Sequence, residues 1–321
     1  MNALVSPFVV SITPFSRGGE LDEPGLRRHL RRLAAAGVGV YVAGGGSGEG
    51  FALTLAETRR IFEIAAEELK GRTPVRAMGY EPHTAAQLHD ILLAAQDVGL
   101  DAAQVYSLDG GHVFRPRPDE IEVYYADVLD GISIPLVLST HPSVGYFLPM
   151  SLIERLCTER EVVGINVTNP DLSYLVDLLE VLDDHGWLGT RIGVHVGGEM
   201  QGLTNLALGG QGIVSSMGNL VPRLLARMHA RYAYGDVSGC AADFAELLRI
   251  YNAFTKLGGS KALKVALTML GLAGGYPRRP RLPVDESVYP QIRELLDRFR
   301  IAELELDPAD LGAAGRPEAV R

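Results

Sequence analysis

The sequence alternates short apolar runs with longer segments of helical periodicity, and this alternation constrains the fold more than any other feature. Eight runs have the length and composition of buried strands. The segments between them carry apolar residues at positions i, i+3 and i+4, which is the pattern of an amphipathic helix. Strands that alternate with helices form parallel sheets. The predicted strands are residues 8–13, 38–43, 75–78, 102–106, 135–139, 162–166, 192–196 and 212–215.

Eight such repeats within about 235 residues fit a closed barrel of the α/β class. An open, doubly wound sheet is the alternative, but residues 44–50 do not satisfy the dinucleotide fingerprint G-x-G-x-x-G in any register. After residue 235 the strand-like runs stop, and helical patterns follow at 240–256, 260–272 and 288–299. We therefore predict a (β/α)8 TIM barrel over residues 1–235, a C-terminal helical region over 236–300, and a flexible tail over 301–321.

Composition excludes several classes of partner. The chain has 39 acidic and 30 basic residues, a formal net charge of −9 and no run of Lys or Arg, so we expect no nucleic acid partner. No apolar stretch reaches the roughly 18 residues of a membrane span, and the first residues do not resemble a signal peptide. We expect a cytoplasmic protein without a membrane partner. No phosphate-binding or metal-ligand spacing occurs, so we predict no cofactor and no metal.

In a (β/α)8 barrel the functional site lies at the carboxyl ends of the strands and in the loops that follow them. The glycine-rich segment 44–50 follows the second predicted strand and precedes a helix, so its backbone N–H groups can approach a carboxylate or a phosphate. Other polar candidates follow the fourth to seventh strands. They are Tyr106, Ser139, His141, Asn166, Thr168 and Glu199.

Several motifs, in this order along the chain, resemble the dihydrodipicolinate synthase / N-acetylneuraminate lyase family. The similarity covers roughly residues 6–300, and no single motif carries it. The motifs are Thr13-Pro14-Phe15, Gly45-Gly46-Ser47-Gly48-Glu49, Ile134-Pro135-Leu136-Val137-Leu138, Val163-Gly164-Ile165, Leu208-Gly209-Gly210-Gln211-Gly212-Ile213-Val214-Ser215 and Leu263-Lys264-Val265-Ala266-Leu267.

This resemblance implies a barrel with a C-terminal helical region, commonly assembled as a homotetramer. It also implies cleavage or formation of a carbon–carbon bond next to a 2-oxo acid, through a Schiff base on a lysine of the sixth strand. The resemblance puts that lysine at position 166, which is Asn166 here. It puts the acid–base tyrosine at Ser139, the carboxylate-binding arginine at Val144, and a pair of hydroxyl residues at Gly46 and Ser47. An amide is not nucleophilic, so we predict that no imine forms.

The replacements suggest a different chemistry. Strand residues alternate in facing, so Ser139 and His141 share one side, as do Asn166 and Thr168. We predict His141 as the general acid/base, because its reference pKa of about 6.5 suits proton transfer near neutrality. Asn166 and Ser47 can donate hydrogen bonds to an oxyanion or a carboxylate. Glu199 lies where the family contacts the distal part of its substrate.

The sequence therefore predicts a divergent lyase of this family, with catalytic His141, Ser139 and Asn166. Its substrate is expected to be a small carboxylate or oxo acid bound by Gly46, Ser47, Thr168, Glu199 and Tyr106, and its assembly a homo-oligomer, either tetramer or dimer. Two alternatives stay open at this point. One is a metal-assisted lyase, and the other is a non-catalytic protein that binds or senses a small acid.

Overall fold

Eight parallel strands close into a barrel in the computed structural model, which describes residues 7–112 and 114–306. Each strand pairs with the next along the chain, and β8 pairs with β1, so the sheet has no free edge. This confirms the predicted (β/α)8 barrel. The strands are β1 Phe8–Val10, β2 Gly39–Val42, β3 Val75–Ala77, β4 Ala102–Val105, β5 Leu136–Thr140, β6 Val162–Val167, β7 Gly193–Gly197 and β8 Gly212–Ser215.

The first strand is shorter than the sequence predicts. The apolar run reaches Thr13, but β1 ends at Val10. The next residues remain buried, and Ser11 N–H still donates to the Tyr41 carbonyl of β2 at 2.8 Å, but the backbone N–H of Ile12 donates to the side-chain Oδ1 of Asn219 at 2.9 Å. A polar side chain from the loop after β8 thus replaces the neighbouring strand as hydrogen-bond partner.

Helices alternate with the strands, and side chains cap the first turns of several of them. Asp22 accepts from the backbone N–H of Gly25 at the start of α1, and Thr54 with Glu57 forms a capping box at α2. The helices of the barrel are α1 Glu23–Ala35, α2 Leu55–Leu69, α3 Ala85–Val98, α4 Pro118–Val128, α5 Met150–Glu159, α6 Leu172–Asp184, α7 Gly202–Ala207 and α8 Pro222–Ala233.

Four further helices follow the barrel. They are α9 Val237–Lys256, α10 Ser260–Met269, α11 Tyr289–Arg298 and α12 Ile301–Glu305. The first three match the predicted helical region. The fourth corrects the predicted start of the tail at residue 301, because Ile301 is buried and the Glu305 carboxylate accepts from the backbone N–H groups of Arg223 and Leu224 at the start of α8. Residues 307–321 lie outside the described residues.

The interior of the barrel is partly polar. Paired residues of a parallel ladder point to the same side, and the pairing places Gln104, Asn166 and His195 on the inner face with Ser139. Arg76, also inward, packs its guanidinium 4.2 Å above the ring centre of Phe8. All five are less than a tenth exposed. A buried polar layer therefore fills the barrel below its mouth.

Asn219 links the first strand of the barrel to the loop that follows the last strand. Its Oδ1 accepts from Ile12 N–H, its Nδ2 donates to the Val10 carbonyl at 2.7 Å, and the buried His29 Nε2 lies 2.8 Å from Oδ1. The side chain is fully buried. Its amide thus satisfies a donor and an acceptor of the backbone just where β1 ends.

Among the described residues, no helix combines the length and the apolar composition that crossing a membrane requires.

We expect Asn219→Ala to destabilise the protein strongly, because it orphans the Ile12 N–H and the Val10 carbonyl at a cost of about 1–3 kcal/mol each. Urea unfolding followed by circular dichroism measures the loss. The exposed Asn252→Ala on α9 is the control and should change stability by less than about 0.5 kcal/mol. Equal unfolding midpoints for the two variants would contradict the assigned role.

Candidate active site

The glycine-rich loop between β2 and α2 forms one wall of the barrel mouth. The N–H of Gly50 donates to the carbonyl of Gly44 at 3.0 Å, and Thr13 Oγ1 donates to the carbonyl of Gly48 at 2.7 Å. Gly46 is exposed, with open space where a Cβ would be. Ser47 is buried, and its Oγ has no hydrogen-bond partner among the described residues. Hydrogen bonds from Gly50 and Thr13 therefore fix the backbone of the loop, and the buried Ser47 hydroxyl remains for a ligand.

Glu49 anchors this loop to the C-terminal helices. Its backbone is left-handed, with φ of 54°, and its buried carboxylate pairs with the buried ammonium of Lys264 on α10. Lys264 Nζ also donates to the carbonyls of Thr13 at 2.8 Å and Tyr276 at 2.9 Å. Burial lowers the pKa of Lys264, and the Glu49 charge opposes that shift. All three ammonium hydrogens are engaged, so this lysine is structural.

Lys264 lies on a C-terminal helix, and its ammonium nevertheless reaches the carboxyl end of β1 through the Thr13 carbonyl. A lysine within the apolar segment Leu263–Leu267 is the signal that could have indicated a buried partner. The partner's identity depends on tertiary packing and has no sequence signature.

Ser139 and Asn166, two of the predicted catalytic residues, lie side by side at the ends of β5 and β6. They are register partners, and both are nearly fully buried. Asn166 Nδ2 donates to Gln104 Oε1 on β4, and a bond between strands that are not neighbours must cross the barrel interior. Asn166 Oδ1 has no partner among the described residues. The pair thus places a hydroxyl and an amide on the inner face of the barrel near the carboxyl ends of its strands.

Thr168 and Tyr106 occupy the positions just beyond β6 and β4. Thr168 is half-buried, and its Oγ1 lies 1.9 Å from the point that a Cβ on Gly197 would take, so only glycine fits beside it. Tyr106 is buried. Burial and the nearby Glu81 carboxylate raise the pKa of Tyr106, which keeps its phenol neutral and able to donate.

His141 lies at the rim, higher than Ser139 and Asn166. Its backbone is extended, with φ −141° and ψ 137°, so the strand alternation continues to it. Its side chain is 39% exposed. The imidazole Nδ1 lies 2.7 Å from Ser143 Oγ and 3.5 Å from Glu81 Oε1. Burial lowers the pKa of His141, and Glu81 opposes that shift. Sequence reasoning missed Glu81 and Ser143.

Glu199 lies in the loop after β7 and is fully buried. Its Oε1 accepts from Ser215 Oγ at 2.6 Å and from the backbone N–H of Met217 at 2.9 Å, which holds the turn after β8. Its Oε2 has no partner among the described residues. Burial raises the pKa of this carboxyl. One oxygen of the Glu199 carboxyl therefore has a structural role in the turn after β8.

No cluster of three or more His, Cys, Asp or Glu side chains within 7–112 and 114–306 could hold a metal ion. The metal-assisted alternative therefore lacks a ligand set in this part of the chain.

The closed barrel, with polar side chains at the carboxyl ends of its strands, is the architecture of a (β/α)8 enzyme. Residues 4–299 match the dihydrodipicolinate synthetase family, and the chain belongs to that family of lyase-type enzymes. It is 29% identical over 295 residues to the 4-hydroxy-tetrahydrodipicolinate synthase of Methanospirillum hungatei, covering 91% of this chain and 98% of that protein. The corresponding enzyme of Methanopyrus kandleri is 28% identical over 291 residues, 90% of this chain and 94% of that one.

A solved structure shows the same similarity. The crystal structure of YagE, a prophage protein of E. coli K12 from the dihydrodipicolinic acid synthase family in complex with pyruvate, superposes with a TM-score of 0.80. The two chains are 25% identical, and the match covers 93% of this chain and 100% of that one.

We expect Lys264→Met to destabilise the protein by about 3–5 kcal/mol, because it leaves the buried Glu49 carboxylate without its cation. Thermal unfolding measures the change. Lys256→Met, at an exposed position near the end of α9, is the matched control and should unfold close to the wild type. If the two variants unfold at the same temperature, the ion pair does not hold the loop in place.

Proposed function

We propose that this chain is a lyase that acts on a small carboxylate or oxo-acid substrate by direct acid/base chemistry, without an imine. His141 moves the proton. Ser139 and Asn166 hold the enolate or carboxylate together with the loop residues Gly46 and Ser47. Tyr106, Thr168 and Glu199 contact the rest of the substrate.

The observation that carries this proposal is where the four lysines lie and what their ammonium groups contact. The resemblance places the family's Schiff-base lysine at Asn166, whose side chain cannot attack a carbonyl. Lys264 reaches the strand ends but is a paired ammonium, and Lys70 Nζ donates to the carbonyl of Gly99 at the opposite end of the barrel. Lys256 is the last residue of α9, and Lys261 lies in the first turn of α10. This distribution favours a mechanism that needs no amine nucleophile.

The polar groups at the mouth can stabilise an anion whose negative charge lies on oxygen. Ser47 Oγ and Asn166 Oδ1 are buried and have no hydrogen-bond partner among the described residues, so a ligand would satisfy them. Exchanging the donor and acceptor roles of Asn166 and Gln104 would free Asn166 Nδ2 to donate to a carboxylate. Fixed donors in a buried site stabilise an enolate more than water does.

Exchange at a carbon acid tests the proposal without knowledge of the second substrate. We expect the protein to accelerate hydrogen–deuterium exchange at C3 of pyruvate or a longer 2-oxo acid in D2O, measured by proton NMR. Pyruvate with borohydride should leave no adduct on any of the four lysines by mass spectrometry. A Schiff-base aldolase treated in parallel verifies the reagents.

His141→Ala should slow this exchange by about 10²–10⁴-fold, the usual contribution of a general acid or base. His185→Ala, just past the end of α6, is the control and should leave the rate unchanged. A trapped lysine adduct would contradict the imine-free mechanism. Binding of 2-oxo acids without exchange would instead favour the non-catalytic alternative.

We also propose that the protein is a homo-oligomer, a dimer or a tetramer, as the resemblance implies. Exposed apolar side chains support this, since Leu172 and Val176 on α6 are each 44% exposed and Met200 is 67% exposed. Light scattering at micromolar concentration should give the mass of a dimer or tetramer. The mass of a monomer would contradict the proposal.

A further inference from the structure

Two loops meet at the rim of the barrel through three side chains, Glu81, Ser143 and His141, which we call the rim cluster. Glu81 follows β3, and the other two follow β5. Ser143 Oγ lies 3.0 Å from Glu81 Oε1 and 2.7 Å from His141 Nδ1. A single hydroxyl therefore bridges the carboxylate and the imidazole, which are themselves 3.5 Å apart.

The hydrogen atoms of the rim cluster can be counted. The Ser143 hydroxyl has one hydrogen and can donate to only one of its two neighbours. If it donates to Glu81, then Nδ1 must carry a hydrogen for the 2.7 Å contact to be a hydrogen bond. If it donates to Nδ1, then Glu81 must be protonated. With Glu81 ionised, both contacts are satisfied only when Nδ1 carries a hydrogen, either in the neutral Nδ1–H tautomer or in the doubly protonated ring.

We propose that Glu81 and Ser143 are positioning residues for His141, and that the three side chains work as one proton relay at the mouth of the barrel. The proposal rests on the proposed function, in which His141 exchanges a proton with the substrate. Glu81 and Ser143 do not touch the substrate. They determine which ring nitrogen of His141 carries hydrogen.

The proton balance follows from the count. In the acid form His141 carries hydrogen on both ring nitrogens, Nδ1–H donates to Ser143 Oγ, and Ser143 Oγ–H donates to the Glu81 carboxylate. His141 then gives its Nε2 hydrogen to the substrate carbanion or oxyanion. The base form that remains keeps Nδ1–H, so its Nε2 lone pair faces the mouth and can take a proton in the reverse step. The acid form has no net charge, which limits its desolvation cost.

Among the described residues, the Glu81 carboxylate is the one charged group that shifts the pKa of His141. Tyr106, from the end of β4, also lies in the field of Glu81 and is neutral. The Arg115 side chain, from the loop before α4, approaches Gly145 two residues beyond Ser143. The backbone N–H of Ser143 donates to His141 Nδ1 at 3.1 Å, which favours a bare Nδ1. The relay therefore requires the bonds of the Ser143 hydroxyl to Nδ1 and Glu81 to outweigh this one.

Histidine-labelled protein tests the relay without any substrate. We expect Glu81→Gln to lower the midpoint of the His141 titration by about one pH unit, because it removes the carboxylate that favours the cation. The control Glu161→Gln, an exposed carboxyl just before β6, should leave the midpoint unchanged. His141→Ala identifies the resonance among the eight histidines. An unchanged midpoint in Glu81→Gln would overturn the relay.

Nitrogen chemical shifts report the tautomer of the neutral ring. In the wild type we expect hydrogen on Nδ1. Ser143→Ala should move it to Nε2, because only the backbone N–H then faces Nδ1, and Ser143→Thr should restore the wild-type tautomer. The same tautomer in wild type and Ser143→Ala would also overturn the relay.

The rate profile separates the two proposals. The acidic limb of the exchange rate should move to lower pH in Glu81→Gln, by the same amount as the titration. If exchange is absent in every variant while the titration still responds to Glu81, the proposed function fails and the rim cluster stands. If exchange is present but its acidic limb ignores Glu81→Gln, the relay fails and the proposed function stands.

Discussion

The buried ion pair between Lys264 and Glu49 is the interaction on which the geometry of the barrel mouth depends. Removing two charges from water costs several kcal/mol each, and the mutual attraction offsets this only when further hydrogen bonds complete the site. The carbonyls of Thr13 and Tyr276 provide them. The pair joins the end of β1, the glycine-rich loop and α10, so the loop surface that a ligand would meet is fixed by the C-terminal helices. These helices are therefore part of the site.

Sequence periodicity was sufficient to predict the barrel, because burial on both faces gives each parallel strand a short apolar run, and each crossover helix has an apolar stripe. It failed where a distant side chain ends an element. Asn219 binds the backbone where β1 ends early, and Glu305 of α12 binds the start of α8 beyond the predicted boundary. Neither contact has a local pattern, since each joins residues that are far apart in the chain.

The same division holds for the candidate site. The rule that sites lie at strand ends, together with alternation along a strand, was enough to select Ser139 and Asn166 as candidates, and the structure makes them register partners on β5 and β6. His141 was predicted to share the face of Ser139, and its extended backbone is consistent with that, but its environment was not predicted. Glu81 and Ser143 come from loops on two different strands, and only the closed barrel brings them together. Sequence can thus indicate a position, but partners drawn from other loops require the folded structure.

The hydrogen bonds from Asn219 to Val10 and Ile12 also determine the order in which the chain can assemble. Ile12 and Asn219 are 207 positions apart in the sequence. During synthesis β1 therefore forms an open edge of the sheet until β8 and Asn219 are available. Contacts of such long sequence separation form late, and an open parallel sheet exposes backbone groups and apolar surface to other chains. β1 is only three residues long, which keeps this exposed edge short. The brevity of β1 therefore protects the nascent chain as well as shaping the mature barrel.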